Sequence, residues 1–137
     1  MCGIVAVTGY KKALPLLING LEKLEYRGYD SAGVAIINSE NNSIFCNKAE
    51  GKLENLISNL NDHNIPGTVG IGHTRWATHG KPEVKNAHPH TDSSGNIAVV
   101  QNGIIENFQD LKNKLEEEGI IFTVSYTHLR AHETRIH

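Results

Sequence analysis

The sequence predicts an α+β fold, in which helices pack against a sheet that contains at least one antiparallel hairpin. Short β-branched apolar runs predict strands, and leucines repeated with helical spacing predict helices. A polar turn at residues 38–42 joins two predicted strands directly, which argues against a purely parallel, doubly wound sheet. The chain of 137 residues is long enough for one domain of this kind.

The first half of the chain contains the predicted hairpin and the longest predicted helix. Residues 3–8 form an apolar run closed by a glycine, which predicts a buried strand. Residues 11–25 place their leucines on one helical face, and Pro15 falls in the first turn, where its missing N–H is harmless. Residues 33–38 and 43–48 are the two strands of the hairpin.

The second half of the chain predicts shorter elements separated by a long polar loop. Residues 53–60 predict a short helix, and residues 68–73 predict a strand that contains two glycines. Beyond the loop, residues 97–101 predict a strand, and a third helix begins near Phe108 and ends before Gly119. A last strand is expected after this helix.

Composition limits the classes of partner that the protein is expected to bind. The formal net charge of −2 provides no general attraction to nucleic acid or to an acidic membrane. Apolar runs are too short for a transmembrane helix, and the N-terminus lacks the basic and apolar regions of a secretory signal. Two cysteines are too few for a disulfide framework. We therefore expect a cytoplasmic protein with no nucleic-acid or membrane partner.

Cys2 is the first candidate for chemistry, because removal of Met1 would make it the N-terminal residue. Its thiol and a free α-amine would then belong to the same residue, and an α-amine titrates near neutral pH, where it can accept a thiol proton. In this arrangement one residue supplies both the nucleophile and the base that activates it. The alternative is that Cys2 is simply a small apolar residue at the start of a strand. Cys46, in the alternating strand 43–48, is expected to behave as an ordinary thiol.

Residues 73–80 form a second candidate, a polar stretch that contains Arg75 and Trp76. A guanidinium binds a carboxylate through two parallel hydrogen bonds, and a neighbouring Trp supplies the wall of a small-ligand pocket. The alternative is a polar surface loop with one anchoring Trp.

Two weaker signals remain open on spacing alone. Asn102-Gly103 is the commonest turn dipeptide, although an Asn amide and a Gly N–H can also stabilise an oxyanion. Arg27 lies in a turn after the first helix and either braces the N-terminal residue or pairs with a surface carboxylate. The histidines, including the His88-Pro89-His90 run, match no zinc pattern, so neither a metal nor another cofactor is expected.

Taken together, these segments resemble the glutaminase domain of the glutamine–fructose-6-phosphate aminotransferase family. The resemblance rests on MCGIVAV at the N-terminus, LEYRGYDSAG at 24–33, GHTRWATHG at 72–80, NAHPH at 86–90 and QNGIIEN at 101–107. It implies an N-terminal-nucleophile hydrolase fold, an αββα sandwich that is truncated here. It also favours this family over related class II amidotransferases such as amidophosphoribosyltransferase.

The resemblance implies a role for each matching residue. Cys2 would attack the side-chain amide of glutamine, with Asn102 and Gly103 as the oxyanion-hole pair. Arg75 would hold the glutamine α-carboxylate, and Arg27 would brace the nucleophile. The residues that would close over the substrate are Trp76, Thr78 and His79. In the full-length enzyme the ammonia would pass to a sugar isomerase domain on the same chain, which is absent from these residues, and that enzyme is expected to be a homo-oligomer.

The last residues depart from the family pattern. Residues 1–123 use nine lysines and two arginines, whereas residues 124–137 use two arginines, no lysine and three of the eight histidines. The family's aspartate for the substrate ammonium has no counterpart before Glu133. We therefore expect a glutaminase segment at 1–123 and a foreign tail at 124–137. The alternatives are the glutaminase domain of another class II amidotransferase, or a catalytically inactive remnant.

Overall fold

A computed structural model describes residues 2–61, 63–76 and 83–122, with the backbone alone at Arg27. Among these residues, the predicted helices are all present, and so are the predicted strands apart from the one expected after the third helix. Two short 3₁₀ turns, Glu25–Arg27 and Val84–Asn86, were not predicted. The strands and α-helices, in chain order, are β1 (Gly3–Val7), α1 (Ala13–Leu24), β2 (Ser31–Ile37), β3 (Ile44–Glu50), α2 (Leu53–Leu60), β4 (Gly70–Arg75), β5 (His90–Thr91), β6 (Ala98–Val99) and α3 (Phe108–Glu117).

The main sheet has four strands in the order β1-β4-β2-β3, and every neighbouring pair is antiparallel. The β2–β3 pair is the predicted hairpin, with Ile37 opposite Ile44 next to the turn. β4 lies between the first two strands of the chain, and its Thr74 pairs with Gly3 on one side and Ala32 on the other. β5 and β6 form a separate two-stranded sheet. The arrangement agrees with the predicted α+β class.

The hydrophobic core lies between one face of the main sheet and the helices α1 and α2. Leu17 and Leu21 of α1 are fully buried against Val34 and Ile36 of β2. Gly70 allows this close approach, because a Cβ at that position would lie 2.8 Å from Leu17 Cδ1. Among the described residues, no helix is long and apolar enough to cross a membrane.

The opposite face of the main sheet carries polar groups at one end and apolar side chains at the other. The polar end is covered by the His88–Pro89 segment, which lies so close that a Cβ on Gly33 would be 2.2 Å from the His88 carbonyl oxygen. At the apolar end, a shallow pocket is lined mainly by aliphatic side chains. The residues that line the pocket include Ile37, Ile44, Val69, Ile71 and Ala98, and of these Ile37 and Val69 are exposed.

Strand boundaries differ from the sequence prediction where polar residues end a strand. β4 continues to Arg75, two residues past the predicted end, and β2 begins at Ser31, two residues before the predicted start. Ser31 and Arg75 pair with each other, so these polar strand ends are held by ladder hydrogen bonds rather than by apolar burial. β5 was not predicted, and no strand follows α3 within residues 118–122.

Candidate active site

Cys2 lies at the end of the main sheet where β4 ends and Trp76 follows. Because Gly3 pairs with Thr74, the residue before β1 lies beside the residues that follow Thr74. The Trp76 N–H donates to Cys2 Sγ at 3.3 Å, and Sγ also lies 3.8 Å from the Trp76 carbonyl oxygen. Cys2 is half-buried. Its sulfur thus lies against the backbone of Trp76 and keeps access to solvent.

Asn102 reaches Cys2 from the loop between β6 and α3. Its Nδ2 donates to the Cys2 carbonyl oxygen at 3.2 Å, although the two residues are 100 positions apart in the chain. Its Oδ1 lies 2.8 Å from His73 Nε2. Asn102 and Gly103 lie in a bend and form no hairpin, so their role as a simple β-turn is not supported.

Arg75 is the last residue of β4 and is fully buried. Its carbonyl oxygen accepts a hydrogen bond from the Asp30 N–H at 2.7 Å, which joins β4 to the turn before β2. Thr74 faces α1, because its Oγ1 and the Leu24 side chain both lie close to Gly3. Side chains alternate between the two faces along a strand, so His73 and Arg75 face the opposite side of the sheet. The expectation that Arg75 lies in a loop was wrong, because it belongs to a strand.

Trp76 follows β4 and is 48% exposed. Its ring lies against Gly28, where a Cβ would be 3.3 Å from Trp76 Cζ3. Gly28 has φ +76°, a conformation that favours glycine, and it ends the 3₁₀ turn Glu25–Arg27. A pocket of about 370 Å³ opens beside this contact and is also lined by Tyr29 and Leu53. Burial of Tyr29 raises the pKa of its phenol, and Glu25 and Glu54 add to this effect.

Three predicted site residues have no described side chain. Thr78 and His79 lie outside the described residues, as does Met1, and only the backbone of Arg27 is described. The structure therefore brings together Cys2, Arg75's strand, Trp76 and Asn102, while Gly103 follows Asn102 in the same bend.

His73 is a site residue that sequence reasoning missed. It was considered as part of the polar stretch 73–80 and as a metal ligand, but with no role beside Asn102, whose amide its Nε2 contacts. Its ring stacks on His88 with centroids 4.0 Å apart and planes 15° apart, and His88 meets His90 edge-on at 4.8 Å. All three histidines are buried. The available signal was alternation, because His73 and Arg75 share one face of a strand.

Two solved structures resemble the chain. A glutamine phosphoribosylpyrophosphate amidotransferase from B. subtilis, complexed with ADP and GMP, has a TM-score of 0.74 at 27% identity, covering 98% of this chain and 28% of its own. A structure described as the allosteric regulatory enzyme of purine biosynthesis has a TM-score of 0.74 at 28% identity, covering 90% and 27%. The chain therefore has the N-terminal-nucleophile fold of the glutamine amidotransferases, which confirms the predicted fold class.

Curated relatives narrow this class to one family. Glutamine–fructose-6-phosphate aminotransferase (isomerizing) from Gloeobacter violaceus is 58% identical over 123 residues, which are 89% of this chain and 20% of the relative. The enzymes from Clostridium tetani and Pyrococcus horikoshii are 57% and 54% identical over 122 residues, with the same coverage. The chain is therefore similar to the N-terminal region of these enzymes and spans about a fifth of their length. No protein-family model matches the chain.

Proposed function

We propose that this chain carries the glutaminase half of a glutamine-dependent amino transfer, with Cys2 as the nucleophile. The observation that carries the proposal is the meeting of Cys2 with Asn102 across 100 positions of sequence. An amide donor beside a half-exposed thiol is the arrangement that acyl transfer from an amide requires. The family relationship supports the same assignment.

The reaction begins when Met1 is removed and the α-amine of Cys2 takes the thiol proton. The sulfur attacks the side-chain carbonyl carbon of glutamine, and a C–S bond forms as the carbonyl oxygen becomes an oxyanion. Asn102 Nδ2 and the Gly103 N–H stabilise that charge. The C–N bond then breaks, and the leaving nitrogen takes the proton from the α-amine and departs as ammonia. Water attacks the resulting thioester, which releases glutamate and regenerates the thiol.

Substrate binding is assigned to the residues around the thiol. Arg75 holds the α-carboxylate of glutamine, because a buried guanidinium offers a fixed fork that is little screened by water. Trp76, Thr78 and His79 close over the bound glutamine, and Arg27 braces Cys2. No metal or other cofactor takes part.

The whole protein is proposed to pass the ammonia to a sugar isomerase domain. There, ammonia and fructose 6-phosphate would give glucosamine 6-phosphate and water. This assignment rests on the similarity to the glutamine–fructose-6-phosphate aminotransferases, of which this chain spans about a fifth. We propose that the protein acts in the cytoplasm as a homo-oligomer, without a nucleic-acid or membrane partner.

A catalytically inactive remnant is the second candidate. The apolar pocket at the open end of the sheet favours it, because aliphatic side chains there lack cover among the described residues. The glutaminase domain of another class II amidotransferase is less favoured, because the aminotransferase relatives are 54–58% identical, whereas the amidotransferase structure is 27% identical.

Glutamate release from glutamine tests the proposal. The sequence is restored with the family's acidic segment and following strands, and this protein is compared with its Cys2→Ala variant and with the matched control Cys46→Ser, since Cys46 lies on β3. Release that depends on Cys2 and survives Cys46→Ser supports the glutaminase assignment. Release that survives Cys2→Ala contradicts it, and no release from any of the three proteins favours the inactive remnant.

A further inference from the structure

The contacts of Asn102 define which way its side-chain amide points. The Cys2 carbonyl oxygen only accepts hydrogen bonds, so the Asn102 atom 3.2 Å away must be the NH₂ group. The amide oxygen therefore faces His73 Nε2 at 2.8 Å. An amide oxygen also only accepts, so His73 Nε2 must carry a hydrogen. The geometry thus requires a hydrogen on Nε2 of His73.

We propose that His73 is a positioning residue, whose Nε2–H holds the Asn102 amide with its NH₂ group turned toward Cys2. In the other neutral tautomer, Nε2 would accept from Asn102 Nδ2, and the amide oxygen would turn toward the Cys2 carbonyl. The oxyanion would then face an oxygen instead of a donor. The inference rests on the proposed function, since it gives the oxyanion-hole amide its orientation.

The surroundings of His73 explain how its ring stays in place. The ring is buried and stacks face to face on His88, which in turn meets the edge of His90. The backbone at His88 is pressed onto the sheet at Gly33, where a side chain would not fit. Rotation of the His73 ring would therefore break a packed stack, so the orientation of Asn102 is set before substrate binds.

Two variants that carry the same amide group on side chains of different length test the proposal. The side-chain nitrogen of Gln reaches the position of Nε2, whereas that of Asn reaches only the position of Nδ1. His73→Gln therefore keeps a donor opposite Asn102, and His73→Asn loses it. His63→Asn is the matched control, because His63 is exposed and its described ring contact is with Phe45.

The readout compares two reagents on Cys2. A chloromethyl ketone analogue of glutamine is proposed to react through a tetrahedral oxyanion, whereas iodoacetamide alkylates the thiolate without one. We expect His73→Asn to slow ketone labelling about 10- to 100-fold, somewhat less than complete loss of an oxyanion donor costs. Iodoacetamide labelling should not change, and His73→Gln should label at nearly the native rate. In an Asn102→Ala background, His73→Asn should have no further effect.

Equal ketone labelling of His73→Asn and the native chain would overturn the inference, as would equal slowing with both reagents. Nitrogen NMR of the imidazole gives a test that does not depend on catalysis, and an Nδ1–H tautomer at His73 would also overturn it. Failure of the proposed function is a different result, in which the native chain shows no preference of the ketone for Cys2 over Cys46.

Discussion

At the residue scale, the two cysteines have different surroundings. Cys46 lies on β3 against the His88–Pro89 segment, with its Sγ 4.0 Å from the Pro89 carbonyl oxygen. Burial raises the pKa of the Cys46 thiol, and Lys48 lowers it by a smaller amount. Cys2 instead accepts a hydrogen bond from the Trp76 N–H. Cys46 is therefore expected to be less reactive than the ordinary thiol that the sequence predicted.

Alkylation rates across pH test this difference. A raised pKa leaves less thiolate at a given pH, so Cys46 should react with iodoacetamide more slowly than a free thiol near pH 8. Its rate should approach that of a free thiol only as the pH rises above the ordinary thiol range. Peptide mapping by mass spectrometry measures the rate, with the unfolded chain in urea as control. Equal rates in folded and unfolded chains at pH 8 would contradict the burial effect.

Arg75→Lys tests the carboxylate role. Lysine keeps the charge but loses the two-pronged fork. In the parent enzyme, kcat/KM for glutamine should therefore fall by a factor that corresponds to about 1.5–3 kcal/mol, the range for a charged hydrogen bond. Lys48→Arg serves as a conservative charge control on the same sheet. An unchanged kcat/KM in Arg75→Lys would remove Arg75 from the site.

At the scale of elements, the packing of α1 on β4 depends on glycines that differ in their clearance. A Cβ on Gly70 would lie 2.8 Å from Leu17 Cδ1 and 3.0 Å from the Ala35 carbonyl oxygen, whereas one on Gly72 would lie 3.4 Å from Leu21 Cδ1. Gly70→Ala should therefore lower the free energy of unfolding by about 1–3 kcal/mol through overpacking. Gly72→Ala is the matched control and should cost much less. Urea unfolding measures both, and equal losses would contradict this account of the interface.

Most elements were predictable because their side chains repeat with a clear period. The leucines of α1 repeat on one helical face, and the continuous apolar run of β2 indicates a strand buried on both faces. The end of β4 was missed because Thr74 and Arg75 are polar, and ladder pairing with β2 holds them in the strand. β5 was missed because a strand of two residues has no period.

The candidate site was only partly predictable for a related reason. Spacing along the chain carries no information that Asn102 meets Cys2, because the contact depends on how the sheet is assembled. The family resemblance supplied that pairing. Neither spacing nor the family resemblance predicted the role of His73, because its contact is with another side chain rather than with a substrate.

At the scale of the whole molecule, the assignment of residues 124–137 as a foreign tail stays a prediction. The proposed glutaminase also lacks the family's acidic residue for the substrate ammonium in that region. We therefore expect the 137-residue chain to release little glutamate. A chain restored with the family's acidic segment and following strands should release more. Comparable turnover by the two chains would show that residues 124–137 are functional.

The central claim is that Cys2 becomes an N-terminal nucleophile, and mass spectrometry of the chain after treatment with a glutamine-like chloromethyl ketone tests it most directly. The account predicts one label per molecule, on Cys2, and only in molecules that have lost Met1. Cys46 should stay unlabelled, because burial raises the pKa of its thiol and leaves less thiolate to react. Equal labelling of the two cysteines, or labelling of Cys2 in molecules that retain Met1, would contradict the claim.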